Sequence, residues 1–179
     1  GKDAPSPAPL VGATDSQGDA AMNTDDVRSN FGVDGAGTTV GVLSDSYDNS
    51  NVASTTAEDD IASGDLPPSD RITVLDDEVP ASDEGRAMMQ LIHDLAPGAT
   101  LGFHTAVGGT AVFASGIRDL ATSGNCTVIV DDIGYNTEPF YQDGPVSNAV
   151  DDVVQFERVG FARVDDVEDS GRVAYLAHE

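Results

Sequence analysis

Thr38-Thr39-Val40-Gly41-Val42-Leu43 is a short run of β-branched and apolar residues with no polar side chain after Thr39. A strand with one solvated face would alternate polar and apolar positions, so this run predicts a strand buried on both faces. Asp34-Gly35-Ala36-Gly37 turns the chain just before it. Downstream, helix and strand patterns alternate. A polar helix is expected at about 51–63 and a strand at 71–75. The next helix, Asp83 to Leu95, has Ala87, Met88, Leu91, Ile92 and Leu95 recurring at spacings of three and four. Ser82 is its expected N-cap, and Pro97-Gly98 stops it. A strand at Thr100–Thr105, a helix at Thr110–Thr122, a strand at Cys126–Val130 and a helix at 145–155 complete the series. Strands alternating with helices give an α/β fold, a mostly parallel sheet with helices on both faces.

The flanks are less regular. Pro5, Pro7 and Pro9 alternate with small residues, which predicts a flexible Pro-rich arm over 1–16, ahead of a single domain over 17–179. A helix is expected from Gln17 to Phe31. Residues 156–179 fit the alternating scheme poorly: Arg163 to Gly171 is acidic and aperiodic, and Val173–Ala177 is a candidate for one more strand.

The 179 residues include 25 Asp and 7 Glu against 7 Arg and one Lys, a net charge of −24. Binding a nucleic-acid duplex or an anionic membrane needs clustered cations, so neither is an expected partner. The charge predicts a strongly solvated, acidic protein. A single cysteine, Cys126, excludes an intrachain disulfide, and its apolar neighbours predict a small buried thiol. No apolar stretch approaches the roughly 20 residues that span a bilayer.

Ligands and catalytic groups of parallel α/β sheets gather at the carboxyl ends of strands. Asp45 follows the first strand, and Asp131, Asp132 and Gly134 follow the strand at 126–130. Glu84 and Arg86 open the best helix. Converging carboxylates raise one another's pKa and supply a general base or a metal site. Arg86 is expected to pair with Glu84 or a cleft carboxylate, or to stay solvated. His93 is expected at the surface near the end of its helix, and His104 at a strand end. Glu58-Asp59-Asp60 lacks the spacing of a calcium loop, so no metal or other cofactor is expected, and structural Ca²⁺ has no motif behind it.

Three stretches together resemble a known family. Gly32 to Ser46 is similar to the opening of a subtilase domain, where a G-x-G-x-x-V-x-V strand delivers the triad aspartate. Glu84-Gly85-Arg86-Ala87-Met88-Met89-Gln90-Leu91-Ile92-His93-Asp94-Leu95-Ala96-Pro97-Gly98-Ala99 resembles the subtilase histidine helix, with Glu84 at the histidine position, as in the glutamate-using sedolisins. Val128 to Gly134 resembles the strand that lines the substrate cleft. The resemblance implies a subtilisin-like serine endopeptidase with Asp45 as triad acid and Glu84 as general base. It also implies Asp131, Asp132 and Gly134 as cleft or supporting residues, a polypeptide substrate and secretion. The sedolisin partner-aspartate position is Met88 here, and no G-T-S-x-x-x-P nucleophile motif occurs. The implied domain is therefore partial at its C-terminus and inactive alone.

The rival expectation is a non-catalytic acidic α/β module that binds divalent cations or a protein partner. Asp45, Asp131 and Asp132 would suit Mg²⁺, as in receiver-type phosphoacceptor domains. Those domains use a late-strand lysine, and the one lysine here is Lys2.

Overall fold

The computed structural model describes residues 12–139 and 141–153, and the backbone of strands at 162–168 and 171–176. Its centre is a four-stranded, wholly parallel sheet built from β1 (Thr39–Ser44), β2 (Ile72–Asp76), β3 (Thr100–Thr105) and β4 (Val128–Asp131), in the order β2-β3-β1-β4. The expected α/β architecture is present. β1 pairs with β3 from Thr39↔Thr100 to Ser44↔Thr105, and with β4 from Val40↔Val128 to Leu43↔Asp131. The run that fixes the fold is the central strand, and five of its six residues are buried.

Helices cover both faces. On one face α4 (Glu84–Leu95) and α3 (Ala57–Ser63) pack Met89 and Ala57 against Val40, Val42, Leu101 and Phe103. On the other, α5 (Thr110–Thr122) and α6 (Pro145–Val153) place Phe113, Ile117, Leu120 and Ala149 around Leu43. The alternation of Val42 and Leu43 between two cores is the period of two that a strand imposes. α5 approaches the sheet closely because Gly41 and Gly102 carry no side chain. A Cβ on Gly41 would stand 3.1 Å and one on Gly102 3.2 Å from Leu120 of α5, and either 2.9 Å from Cys126 Sγ.

The expected helix at 17–31 is two helices, α1 (Gln17–Met22) and α2 (Thr24–Phe31), separated by Asn23 in the left-handed region, φ 55°. Asparagine is one of the few residues that adopt this conformation readily. α3 is shorter than expected and starts at a capping box: the Thr56 side chain accepts from the Asp59 amide while the Asp59 side chain accepts from Thr56. The acidic stretch expected to be aperiodic is a strand. β5 (Ala162–Glu168) and β6 (Gly171–Leu176) form a separate antiparallel two-stranded sheet. Its register shifts between Val164 and Asp166, so the doubled Asp165-Asp166 interrupts the alternation that would have marked a strand. Residues 1–11 of the expected arm lie outside the described residues. Among the described residues no helix is long and apolar enough to cross a membrane.

Candidate functional site

Of the acidic and basic positions singled out in the sequence, Asp45, Glu84, Arg86 and Asp132 lie toward the α4 face of the sheet, and Asp131 lines a cavity on the other. On the α4 face, the Asp45 carboxylate works as a helix cap supplied from a distant part of the chain. Its Oδ1 accepts from the amides of Glu84 at 2.8 Å and Gly85 at 3.4 Å, and its Oδ2 from the amide of Ser82 at 2.8 Å and from the Ser82 hydroxyl. Ser82 is thus not the cap of α4. Burial pushes the Asp45 carboxyl up, but the donors from Ser82, Ser46 and Gly85 outweigh it and hold the group below its ordinary value. Glu84 reaches Asp45 with its amide, while the residue itself is exposed.

Beside this cap, Arg86 is buried rather than solvated. Its guanidinium lies 2.5 Å from Asp48, 3.0 Å from Asp60 and 3.1 Å from Asp83, and donates to the Thr55 carbonyl at 2.6 Å. The Glu84 carboxylate is not among these partners. Asp83, the residue before α4, is held at φ 63° because its carboxylate also accepts from Ser46 Oγ at 2.7 Å and the Asn49 amide at 2.9 Å. The charged groups gathered around Arg86 join the β1–α3 loop to α4.

The second group frames a cavity. Leu43, Phe113, Ile117, Ile129, Val146 and Val150 wall a space of about 290 Å³ between α5, α6 and the carboxyl end of β4, and Asp131, Ile133, Tyr135 and Glu138 complete its lining. Tyr135 stands edge-on to Phe113, with ring centroids 5.7 Å apart, and its hydroxyl donates to the Ala106 carbonyl. Glu138 is anchored by α6: its Oε1 accepts from the amides of Val146 at 2.9 Å and Ser147 at 3.3 Å. Asp131 stands at the rim, with part of its surface open to solvent and its carboxyl set among the cavity walls. Crowding by those walls pushes the carboxyl up, the Ile133 amide pulls it down, and neighbouring Asp132 pushes it up again; the net direction is up. Asp132 does not line the cavity: it turns to the α4 face of β1, where it accepts from the buried Ser44 hydroxyl at 3.2 Å, next to Gly85. Gly134 is exposed with open space around it.

The sequence pattern gives no sign of Glu138, and it places Tyr135 in the stretch after β4 without a role. Gly144-Pro145 is a helix-start signal, and it could have directed attention to a capping acid upstream, but Glu138 acts from eight residues before Val146, outside any local capping motif.

His93 and His104 fall away from both groups. His93 is buried, not on the surface as expected, and burial followed by the nearby Arg71 charge lowers its pKa. His104 is buried with Nδ1 2.7 Å from the Thr105 carbonyl oxygen and Nε2 3.6 Å from Asp119. Cys126 is half-buried, and burial pushes its thiol up to about 11. Among the described residues no group of three His, Cys, Asp or Glu is gathered closely enough to hold a metal ion.

Comparison with known proteins points away from the peptidases. The chain is 43% identical over 51 residues to the glutamate–tRNA ligase of Methanococcus maripaludis, covering 28% of this chain and 9% of the ligase. It is 43% identical over 56 residues to the glutamate–tRNA ligase of Methanobrevibacter smithii, 31% of this chain and 10% of that enzyme. The chain therefore spans about a tenth of the length of the curated relatives it matches. No family model and no solved structure matches it. These likenesses are to a different enzyme class, and they overturn the subtilase/sedolisin resemblance. With it go the serine-type endopeptidase function and the description as a hydrolase or protease. The physical reason lies in what the resembling motifs do here. A Cβ on Gly85 would stand 2.3 Å from Phe103, and one on Gly41 would meet Cys126, so packing of a helix onto a parallel sheet accounts for these glycines. The alternative of a cation- or protein-binding acidic module gains no support from these likenesses either, and the strand-end aspartates do not gather with a third ligand into a metal-holding group among the described residues.

Proposed function

We propose that the chain is a ligand-binding α/β module that takes a small, mainly apolar molecule into the cavity between α5, α6 and β4. One observation carries this reading: apolar side chains from four elements line a pocket of about 290 Å³, partly open to solvent, at the carboxyl end of a parallel sheet, the usual place for ligands in such sheets. An apolar cavity of about 150 Å³ accepts benzene, so this one has room for a substituted aromatic ring. The binding energy comes from removing apolar ligand surface from water, at roughly 25 cal/mol per Å².

The test is a titration of the full chain with 2-phenylethanol, followed by NMR of the Ile117, Ile129 and Ile133 methyl groups. Saturable shifts at these three residues are expected, together with their loss in Val150→Phe, which fills the space. Methyl shifts that stay linear with concentration, or that survive Val150→Phe unchanged, would refute the reading.

The tRNA-ligase likeness favours a second reading, in which a segment of this chain shares descent with one part of those enzymes. On this reading the shared part is not one that grips RNA, since a net charge of −24 repels a polyanion. The isolated chain is then expected to neither bind tRNA nor charge it with glutamate. A saturable tRNA complex at physiological salt would count against that assignment.

A further inference from the structure

We infer that the α5–α6 cavity selects a ligand bearing an ammonium or another cationic donor, held by Glu138 and Asp131. The inference rests on the reading of the cavity as a ligand site and adds the chemistry of its occupant. Glu138 supplies the main argument. Its Oε1 is fixed by two amides of the first turn of α6, and this close approach exists because residue 144 is glycine: a Cβ there would stand 2.3 Å from Oε1. Its Oε2 is buried and has no hydrogen-bond partner among the described residues. A carboxylate oxygen withdrawn from water without a donor costs free energy that a hydrogen bond would recover. The side chain cannot swing out to find one without uncapping α6, and a donor on a molecule entering the cavity would supply it.

The surroundings agree on the sign of that donor. Asp131 is a second carboxylate in the same lining, and the lining contains no Lys, Arg or His. Arg118, which follows Ile117 on α5, is paired with Asp152 at 2.8 Å. A ligand carboxylate or phosphate would meet two like charges, whereas an ammonium relieves both. The excess of acids over the whole chain also raises the concentration of cations near its surface.

Three probes of similar size separate the two claims: 2-phenylethylamine, 2-phenylethanol and 3-phenylpropionate, each titrated calorimetrically into the full chain at fixed salt. A charge-assisted hydrogen bond predicts that the amine binds about tenfold or more tighter than the alcohol, with the propionate weakest. In the double variant Asp131→Asn/Glu138→Gln, the introduced amide keeps a carbonyl oxygen that can still accept from α6, and both negative charges are gone. The amine-to-alcohol ratio is then expected to fall to about one. If that double variant fails to fold, Asp131→Asn alone is expected to reduce the ratio severalfold. Equal wild-type affinities for amine, alcohol and propionate would overturn the selection and leave the cavity reading standing. An unchanged ratio in the variant would overturn the assignment to these carboxylates, and binding of none of the three would overturn both readings.

Discussion

The main-chain N–H of Glu84 donates to Asp45 Oδ1 at 2.8 Å, so a side chain at the end of β1 caps a helix that begins 39 residues later. This bond, with those from Ser82 and Gly85, ties α4 to the central strand. Asp45→Ala is expected to lower stability by about 1–3 kcal/mol at neutral pH, the cost of a lost cap plus orphaned donors. The native pKa lies below the ordinary value of 3.8. The contribution is therefore present above that value and lost as pH falls through the depressed native pKa. Urea unfolding of wild type and variant across pH 2–7 checks this: the gap should close at the acid end, and a gap constant with pH would contradict it.

Much of the α/β frame was legible because the decisive signals are local. Thr38–Leu43 reads as a buried strand from composition alone, and β3 and α5 fall where their periodicity put them. The site was not legible, because its geometry depends on contacts between distant residues. Asp45, not the adjacent Ser82, caps α4, and Arg86 finds Asp48 and Asp60 on another part of the chain. Gly41 and Gly85 look like motif glycines in sequence, whereas in the fold they are the points where Cys126 and Phe103 come closest. Asp131 was singled out for its strand end, but its neighbours Glu138 and Tyr135 come from an irregular loop with no periodic signal.

Gly85→Ala tests the packing account of that glycine directly. The added methyl would stand 2.3 Å from Phe103 and 2.8 Å from the Ser46 carbonyl oxygen, and the backbone at Ser46 has little freedom to retreat. Overpacking of this kind costs about 1–3 kcal/mol. Thermal unfolding should show a clear fall in Tm, and a variant as stable as wild type would mean that α4 can slide away from β1.

Arg86 is 5% exposed and joins three carboxylates, two of them nearly as buried. Replacing it with Met keeps the apolar stem but leaves the buried Asp60 and Asp83 charged without a counter-charge. A loss of about 3–5 kcal/mol is expected. Arg86→Lys should recover only part of it, since one ammonium cannot reproduce the guanidinium's several donors. Denaturant midpoints for the two variants measure this, and full rescue by lysine would contradict the geometry.

The raised pKa of Asp131 has a consequence for stability. Its ionised form is disfavoured in the folded chain, chiefly because the cavity walls take part of the carboxylate of this otherwise exposed residue out of water. Stability is therefore greater when the group is protonated and declines as pH rises through the native pKa. Asp131→Asn should raise Tm at pH 7, with the difference vanishing in acid, while weakening amine binding. A lower Tm for the variant at pH 7 would argue instead that Asp131 is a structural anion.

The most direct test of the cavity as a cation-selective ligand site is a crystal structure of the full chain with 2-phenylethylamine. The ring is expected between Phe113, Ile117 and Val150, with the ammonium within hydrogen-bonding distance of Glu138 Oε2 or the Asp131 carboxylate. An amine bound elsewhere on the acidic surface, with the cavity unfilled at saturating concentration, would contradict it.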